Sequence, residues 1–237
     1  MKDIISAGLA QLGLADRVPD NASQQLAEYG RLLLEKNQVM NLTAIREEDK
    51  VARLHMLDCA ALLCCTDFAG KRLIDVGTGA GFPGLPLKIL CPELEVTLLD
   101  SLGKRVSWLN EVSGQLGLQG VTAMHARAEE QGLVKGFRDS FDFATARAVA
   151  DLRLLCELCL PYVKPGGAFL AMKSVDCEQE LAGAAHCMKL LGGRLESCRD
   201  YTIPGTDITH RLVVIRKVSP TLKGYPRKWA KIQKEPL

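Results

Sequence analysis

The residue types able to do chemistry gather first in one short stretch, Leu73-Ile-Asp-Val-Gly-Thr-Gly-Ala-Gly-Phe-Pro-Gly84. Leu73 to Val76 is an apolar run broken by one acid and reads as a buried parallel strand, while Gly77, Gly79 and Gly81 allow a sharp turn against a ligand. The spacing Gly-x-Gly-x-Gly departs from the dinucleotide fingerprint G-x-G-x-x-G, whose last place is held here by Phe82. Asp75 at the carboxyl end of the strand would repel a pyrophosphate and attract an amino group or a sulfonium. The stretch therefore predicts a site for a cationic nucleoside without phosphates, a description that S-adenosylmethionine fits.

In an open α/β sheet the ligand lies beyond the carboxyl ends of the strands, so the residues just after each apolar run are the informative ones. Asp100 follows the second run and can accept hydrogen bonds from both ribose hydroxyls of a nucleoside; it also suits a helix cap. After the third run, Ala128 and Glu129 of Arg127-Ala-Glu-Glu130 can meet an adenine edge, and Glu129 also suits the start of a helix. The fourth run, Phe141-Asp-Phe-Ala-Thr-Ala-Arg-Ala-Val149, lies where a methyl acceptor would stand. It contains neither an Asn/Asp-Pro-Pro-aromatic box for an exocyclic amine nor a Pro-Cys nucleophile for a pyrimidine ring. It offers Arg147, a planar fork suited to phosphate oxygens or to the O6 and N7 edge of guanine. Lys173 after the fifth run is a second cleft base, and Lys164-Pro-Gly-Gly167 reads as a plain turn.

Positioning these residues requires alternating strands and helices. The rhythm from Lys71 onward predicts strands at 72–76, 95–99, 121–124, 141–145, 167–172, 195–203 and 210–216. Helices are expected near 84–90, 102–116, 150–161 and 176–191. The last two strands have only a Pro204-Gly205 turn between them and should pair antiparallel. The fold class is thus α/β, a Rossmann-like seven-stranded methyltransferase sheet with an antiparallel final strand. Before it, apolar stripes predict helices over 3–12, after Asp20 or Asn21, and from about Glu47 to Cys65, the last placing His55 and Asp58 on one face. Three parts follow: a helical extension over 1–66, the core over 67–217, and a basic tail over 218–237.

The chain of 237 residues carries a net charge of only +2, so any nucleic-acid surface must come from uneven charge. From Arg216 to Leu237 there are seven basic residues and one acid, +6, which leaves −4 for the rest. With Tyr225 and Trp229 this tail holds the ingredients of single-strand or loop RNA binding, and a solvated tail is the plainer reading. Nine cysteines, an odd number, and an acid in Met1-Lys-Asp-Ile-Ile predict a reduced, cytoplasmic protein. No run reaches the roughly 18 apolar residues of a membrane span. Cys156 and Cys159 sit in an apolar run and read as small core residues, with no metal implied.

Taken together, Asp75-Val-Gly-Thr-Gly-Ala-Gly-Phe-Pro-Gly-Leu-Pro86, Asn41-Leu-Thr43, His55-x-x-Asp58, Leu99-Asp-Ser-x-x-Lys-Arg105, Arg127-Ala-Glu129, Ala146-Arg-Ala148 and the ending from Tyr225-Pro-Arg227 resemble the bacterial small-subunit ribosomal RNA guanine-N7 methyltransferases, the glucose-inhibited division protein B family. The resemblance implies cofactor contacts by Gly77, Phe82, Ala128, Glu129 and Arg147, ribose contact by Asp100, and 16S ribosomal RNA or the small ribosomal subunit as partner of a monomer. Two departures stand out: Ser174 after Lys173 where Gly is usual, and Cys59 in place of Ser. A methyltransferase acting on a small molecule and an RNA-binding protein without catalysis are the competing readings. Asp75 and Phe82 disfavour a nicotinamide enzyme.

Overall fold

The computed structural model describes residues 1 to 237 apart from 148 and 149. Among the described residues, β1 (Arg72–Val76), β2 (Glu95–Asp100), β3 (Val121–His125), β4 (Phe141–Arg147), β5 (Val163–Ser174), β6 (Gly193–Thr202) and β7 (Thr209–Lys217) form one sheet. Their order is β3-β2-β1-β4-β5-β7-β6. The first five strands pair in parallel, whereas β7 runs antiparallel to β5 and β6 antiparallel to β7. The reversal follows from the short 203–208 link, closed by the Ile203 amide donating to the Ile208 carbonyl at 2.9 Å, which has no length for a crossover helix.

Two apolar layers cover the sheet, and strand alternation assigns each side chain to one of them. Leu73, Val96, Leu98, Leu170 and Leu212 face one layer, and Ile74, Val76, Leu99, Phe169 and Val213 the other. The first layer is built from α1 (Lys2–Gln11), α2 (Ala22–Asn37) and a nearly continuous helical run over 48–64, with α5 (Gly84–Leu90) and α6 (Gly103–Gln115). The run consists of α3 (Glu48–Val51), a π-turn (Ala52–Leu57), α4 (Asp58–Ala60) and a 3-10 turn (Ala61–Cys64). Ile5, Leu26, Tyr29 and Leu33 are fully buried, and at about 1.5–3 kcal/mol each they bind the amino-terminal helices to the sheet's own core. The second layer contains α7 (Ala128–Gln131), α8 (Leu152–Cys159), α9 (Glu178–Leu190) and α10 (Trp229–Lys234).

Most elements lie where the sequence puts them, with three corrections. Residues 164–167 are not a plain turn: they belong to β5, with a register shift between Phe141 and Phe143 on β4 opposite and Gly166 at φ +89. The helix expected over 150–161 begins at Leu152, capped by Asp151 accepting from the Arg153 amide. The carboxyl-terminal tail carries a helix of its own, α10. Cys156 and Cys159 are buried in the second layer, where desolvation pushes both thiols up. Among the described residues no helix is long and apolar enough to cross a membrane.

Candidate functional site

β1 lies between β2 and β4, where the strand order reverses, so a crevice opens beyond its carboxyl end. The loop after Val76 is locked to the neighbouring strand by the Gly77 and Thr78 amides, which donate to the Leu99 carbonyl at 2.8 and 3.1 Å. Asp75, expected to face the ligand, instead lies wholly buried beneath the loop. Its carboxylate accepts from Thr78 Oγ1 at 2.6 Å, the Gly84 amide at 2.9 Å and Thr145 Oγ1 at 3.3 Å. Strand alternation is the physical reason: Asp75 points the same way as Leu73, under the turn, and it clamps both ends of the Gly77–Gly84 arc. Burial pushes its carboxyl up to about 6, with the hydrogen bonds limiting the rise. Gly84 must approach the clamp closely, since a Cβ there would stand 2.4 Å from Leu98 Cδ2 and 3.0 Å from Asp75 Oδ2.

A cavity of about 500 Å³ opens above this loop, lined by Gly77, Gly79, Phe82, Asp100, His55 and Arg147 among others. Gly79 takes φ +62 and its amide donates to Asp100 Oδ2 at 2.9 Å. The Leu102 amide donates to Asp100 Oδ1 at 2.9 Å and Arg105 Nη1 pairs with Oδ2 at 3.5 Å, so Asp100 serves the local turn and its ion pair and still keeps a spare lone pair on Oδ1. Gly81 does not line the cavity: it packs against Leu85 and the Tyr29 hydroxyl. A second cavity of about 260 Å³ shares Gly77, Asp100 and Ser101 with the first and is lined further by Leu99, Ala128, Glu129, Leu158 and Trp229. The structure thus brings Gly77, Gly79, Phe82, Asp100, Ala128, Glu129 and Arg147 to two adjoining cavities, with Asp75 and Gly81 supporting them from below.

Arg147 ends β4 at the rim of the first cavity, where the sequence left its partners unspecified. Its Nη1 donates to the Leu54 carbonyl and to Asp58 Oδ2, each at 3.1 Å, and its Nη2 donates to His55 Nδ1 at 3.0 Å. The His55 and Asp58 pair, which spacing places on one helix face, is therefore a buried seat for the guanidinium. Asp58 Oδ1 also accepts from Tyr201 at 2.9 Å and from His210 Nδ1 at 2.8 Å. Burial opposes the Asp58 charge, but the His210 bond and the Arg147 charge hold its carboxyl below the ordinary range. The same bond raises the His210 imidazole, whereas burial and then Arg147 push His55 down to about 3. His55 is thus neutral, accepting at Nδ1 and donating from Nε2 to Thr43 Oγ1 at 2.8 Å. Phe82 packs between these groups, its ring stacked on His55 at 4.5 Å and under Arg147 Cζ at 4.9 Å.

Sequence reasoning missed Tyr29, Trp108, Tyr201 and His210. Tyr29 Oη and Trp108 Nε1 both donate to the Ala80 carbonyl, at 2.7 and 3.3 Å, and hold the glycine loop from below. Tyr29 lies on the helix that begins after Asn21, whose apolar pattern carries no sign of this polar partner. Lys173 is not a free cleft base: it pairs with Glu180 at 2.6 Å and donates to the Ala150 carbonyl at 3.1 Å. Ser174 ends β5 opposite His210 of β7. Of the basic residues from Arg216 onward, Arg216, Lys217 and Arg227 are paired with Glu196, Asp139 and Glu157, whereas Lys223, Lys228, Lys231 and Lys234 are exposed.

A family model described as rRNA small subunit methyltransferase G, GidB, matches residues 22–206. The chain belongs to this family. Ribosomal RNA small subunit methyltransferase G of Alkaliphilus metalliredigens (strain QYMF) is 46% identical over 239 residues, covering 100% of this chain and 98% of that protein. The protein of the same name from Clostridium perfringens (strain 13 / Type A) is 45% identical over 215 residues, 90% of each chain. Among solved structures, TrmN from Thermus thermophilus superposes with a TM-score of 0.51 at 24% identity over 68% of this chain and 48% of that one. M. jannaschii TYW2, solved in complex with AdoMet, superposes with a TM-score of 0.52 at 14% identity over 65% of this chain and 71% of that one. These structural likenesses establish the methyltransferase fold, and the resemblance read from the motifs is borne out by the family match.

Proposed function

We propose that the chain transfers the methyl group of S-adenosylmethionine to N7 of a guanine in small-subunit ribosomal RNA. The observation that carries this reading is the protonation chemistry of the crevice. His55 is neutral with both ring nitrogens engaged, Asp100 is held by two amides, and Arg147 is a cation seated on Asp58. None of these is disposed to take a proton from an acceptor. N7 of guanine has an in-plane lone pair and no proton to lose, so its methylation rests on alignment and on excluding other acceptors.

The residues fit the cofactor in shape and charge. When bound, S-adenosylmethionine supplies an electrophilic methyl group on a sulfonium. The spare lone pair on Asp100 Oδ1 receives a ribose hydroxyl, and Ala128 with the buried Glu129 borders the adenine edge. Asp75 acts through the loop it clamps. Three of the five Arg147 N–H groups are engaged by Leu54, Asp58 and His55, which leaves two for the guanine edge or a neighbouring phosphate. The small ribosomal subunit or its RNA is the substrate of a monomer, and phosphate contacts make its binding fall with salt.

Arg147→Ala tests the assignment. Methyl transfer to small-subunit RNA should collapse by at least about a hundredfold, as expected when an aligning group is lost, while affinity for S-adenosylhomocysteine stays within a few fold. Retained turnover would refute the role of Arg147. A parallel fall in cofactor affinity would place its contact on the cofactor instead of the acceptor.

A further inference from the structure

The carboxyl-terminal segment is fixed to the body of the protein by three separate anchors. Lys217 Nζ, fully buried, donates to Asp139 Oδ1 at 3.0 Å and to the Leu160 carbonyl and Thr221 Oγ1 at 2.6 Å. Arg138 donates to the carbonyls of Thr221, Leu222 and Tyr225 at 2.7, 3.0 and 2.6 Å. Arg227 forms a forked pair with the buried Glu157 of α8, Nε to Oε1 at 2.8 Å and Nη2 to Oε2 at 2.7 Å, and Ile232 of α10 is fully buried. A segment held this way presents a fixed side chain.

That side chain is Trp229. It lines the second cavity with Val76, Leu99, Ala126, Ala128 and Leu158, a mostly apolar set. Trp229, Arg127 and Glu129 also line a third cavity of about 440 Å³ and so separate the two. A cavity of about 260 Å³ with mostly apolar walls, two acids (Asp100 and Glu129), Arg127 and an indole suits a purine ring and its ribose, the ring gaining from an aromatic face and from apolar contact together.

We infer that Trp229 is a stacking wall for the purine of the bound cofactor, and that the carboxyl-terminal segment is by this contact a part of the cofactor site. The inference rests on reading the first two cavities as one S-adenosylmethionine site. It gives α10 a role in holding the methyl donor, which its basic composition alone would have assigned to RNA.

The test is calorimetric titration of S-adenosylhomocysteine and of adenosine into the full chain and its Trp229→Leu, Trp229→Phe and Asp100→Asn variants. Trp229→Leu keeps apolar bulk and removes the aromatic face, so both ligands should weaken by about tenfold, within the range that truncating a base-stacking aromatic produces. Trp229→Phe should stay within about threefold, and Asp100→Asn should weaken both ligands. Trp229→Leu matching the parent within twofold while Asp100→Asn weakens binding would overturn the stacking wall and leave the cofactor site standing. Unchanged binding in both variants would overturn the site reading and the inference with it. Should Trp229→Leu fail to fold, acrylamide quenching of the full chain decides the matter: Trp108 is 2% exposed, so the quenchable emission comes from Trp229; it should become protected on saturation with S-adenosylhomocysteine, and unchanged quenching refutes the contact.

Discussion

Asp58 is the residue on which the seat of Arg147 depends, and its removal has a calculable consequence. The carboxylate is almost fully buried and accepts from Arg147, Tyr201 and His210. Asp58→Ala leaves a guanidinium with 15% side-chain exposure without its counter-charge, and breaking a buried pair from one side costs about 3–5 kcal/mol. For a chain of this size each kcal/mol moves Tm by roughly 2–4 °C, so a fall of about 6–20 °C is expected. Arg147→Ala alone strands the opposite charge. Removing both partners strands neither, so a double-mutant cycle in urea should return a coupling of at least about 2 kcal/mol. Because the seat fixes Arg147, Asp58→Ala should also lower methyl transfer more than it lowers affinity for S-adenosylhomocysteine. A coupling below about 0.5 kcal/mol, within the scatter of independent sites, would refute the claim that Asp58 and Arg147 act as a buried pair.

Two further outcomes follow from the geometry. His55 is neutral in the fold, with its imidazole pushed from 6.5 down to about 3, so the stability it contributes is present above pH 6.5 and is lost as pH falls from there toward 3. Between pH 7 and pH 5 that loss is about 2 kcal/mol. Asp75 and His210, whose groups are raised, shift the other way over this range, so the measurement is the stability difference between the parent and His55→Gln by urea unfolding at both pH values. It should narrow by about 2 kcal/mol on acidification, and a constant difference contradicts the buried neutral imidazole. Gly84→Ala sets a Cβ against Leu98 and the Asp75 clamp; overpacking of this kind costs about 1–3 kcal/mol, and affinity for S-adenosylhomocysteine should fall with it in the same titrations. Unaltered affinity would mean that the clamp does not shape the loop.

The parts of the site that were legible in the sequence are those carried by one strand and the turn after it. The glycine loop, Asp100 and Arg147 each follow an apolar run, and the strand-end rule places them without knowledge of anything distant. Asp75 was legible too but misassigned: two residues from Leu73 on an alternating strand, it must point to Leu73's layer and not upward to the ligand. What supports Arg147 was not legible, because Asp58 and His210 are separated by 152 positions and meet only through the order of β4, β5 and β7. Part of the basic segment was illegible for the same reason. A run of lysines and arginines reads as free charge until Glu157, 70 positions away, is found against Arg227. The plain turn expected over 164–167 shows a third kind of limit, since its glycines form a bulge within a strand whose pairing is set by β4.

The methylated atom itself is open to direct measurement. Small ribosomal subunits from a strain lacking the modification, incubated with the chain and S-adenosylmethionine labelled in its methyl group, should carry the label at N7 of one guanine in the small-subunit RNA. Label on an exocyclic amine, on a pyrimidine or on a free metabolite, or label that never leaves the cofactor, would contradict the account.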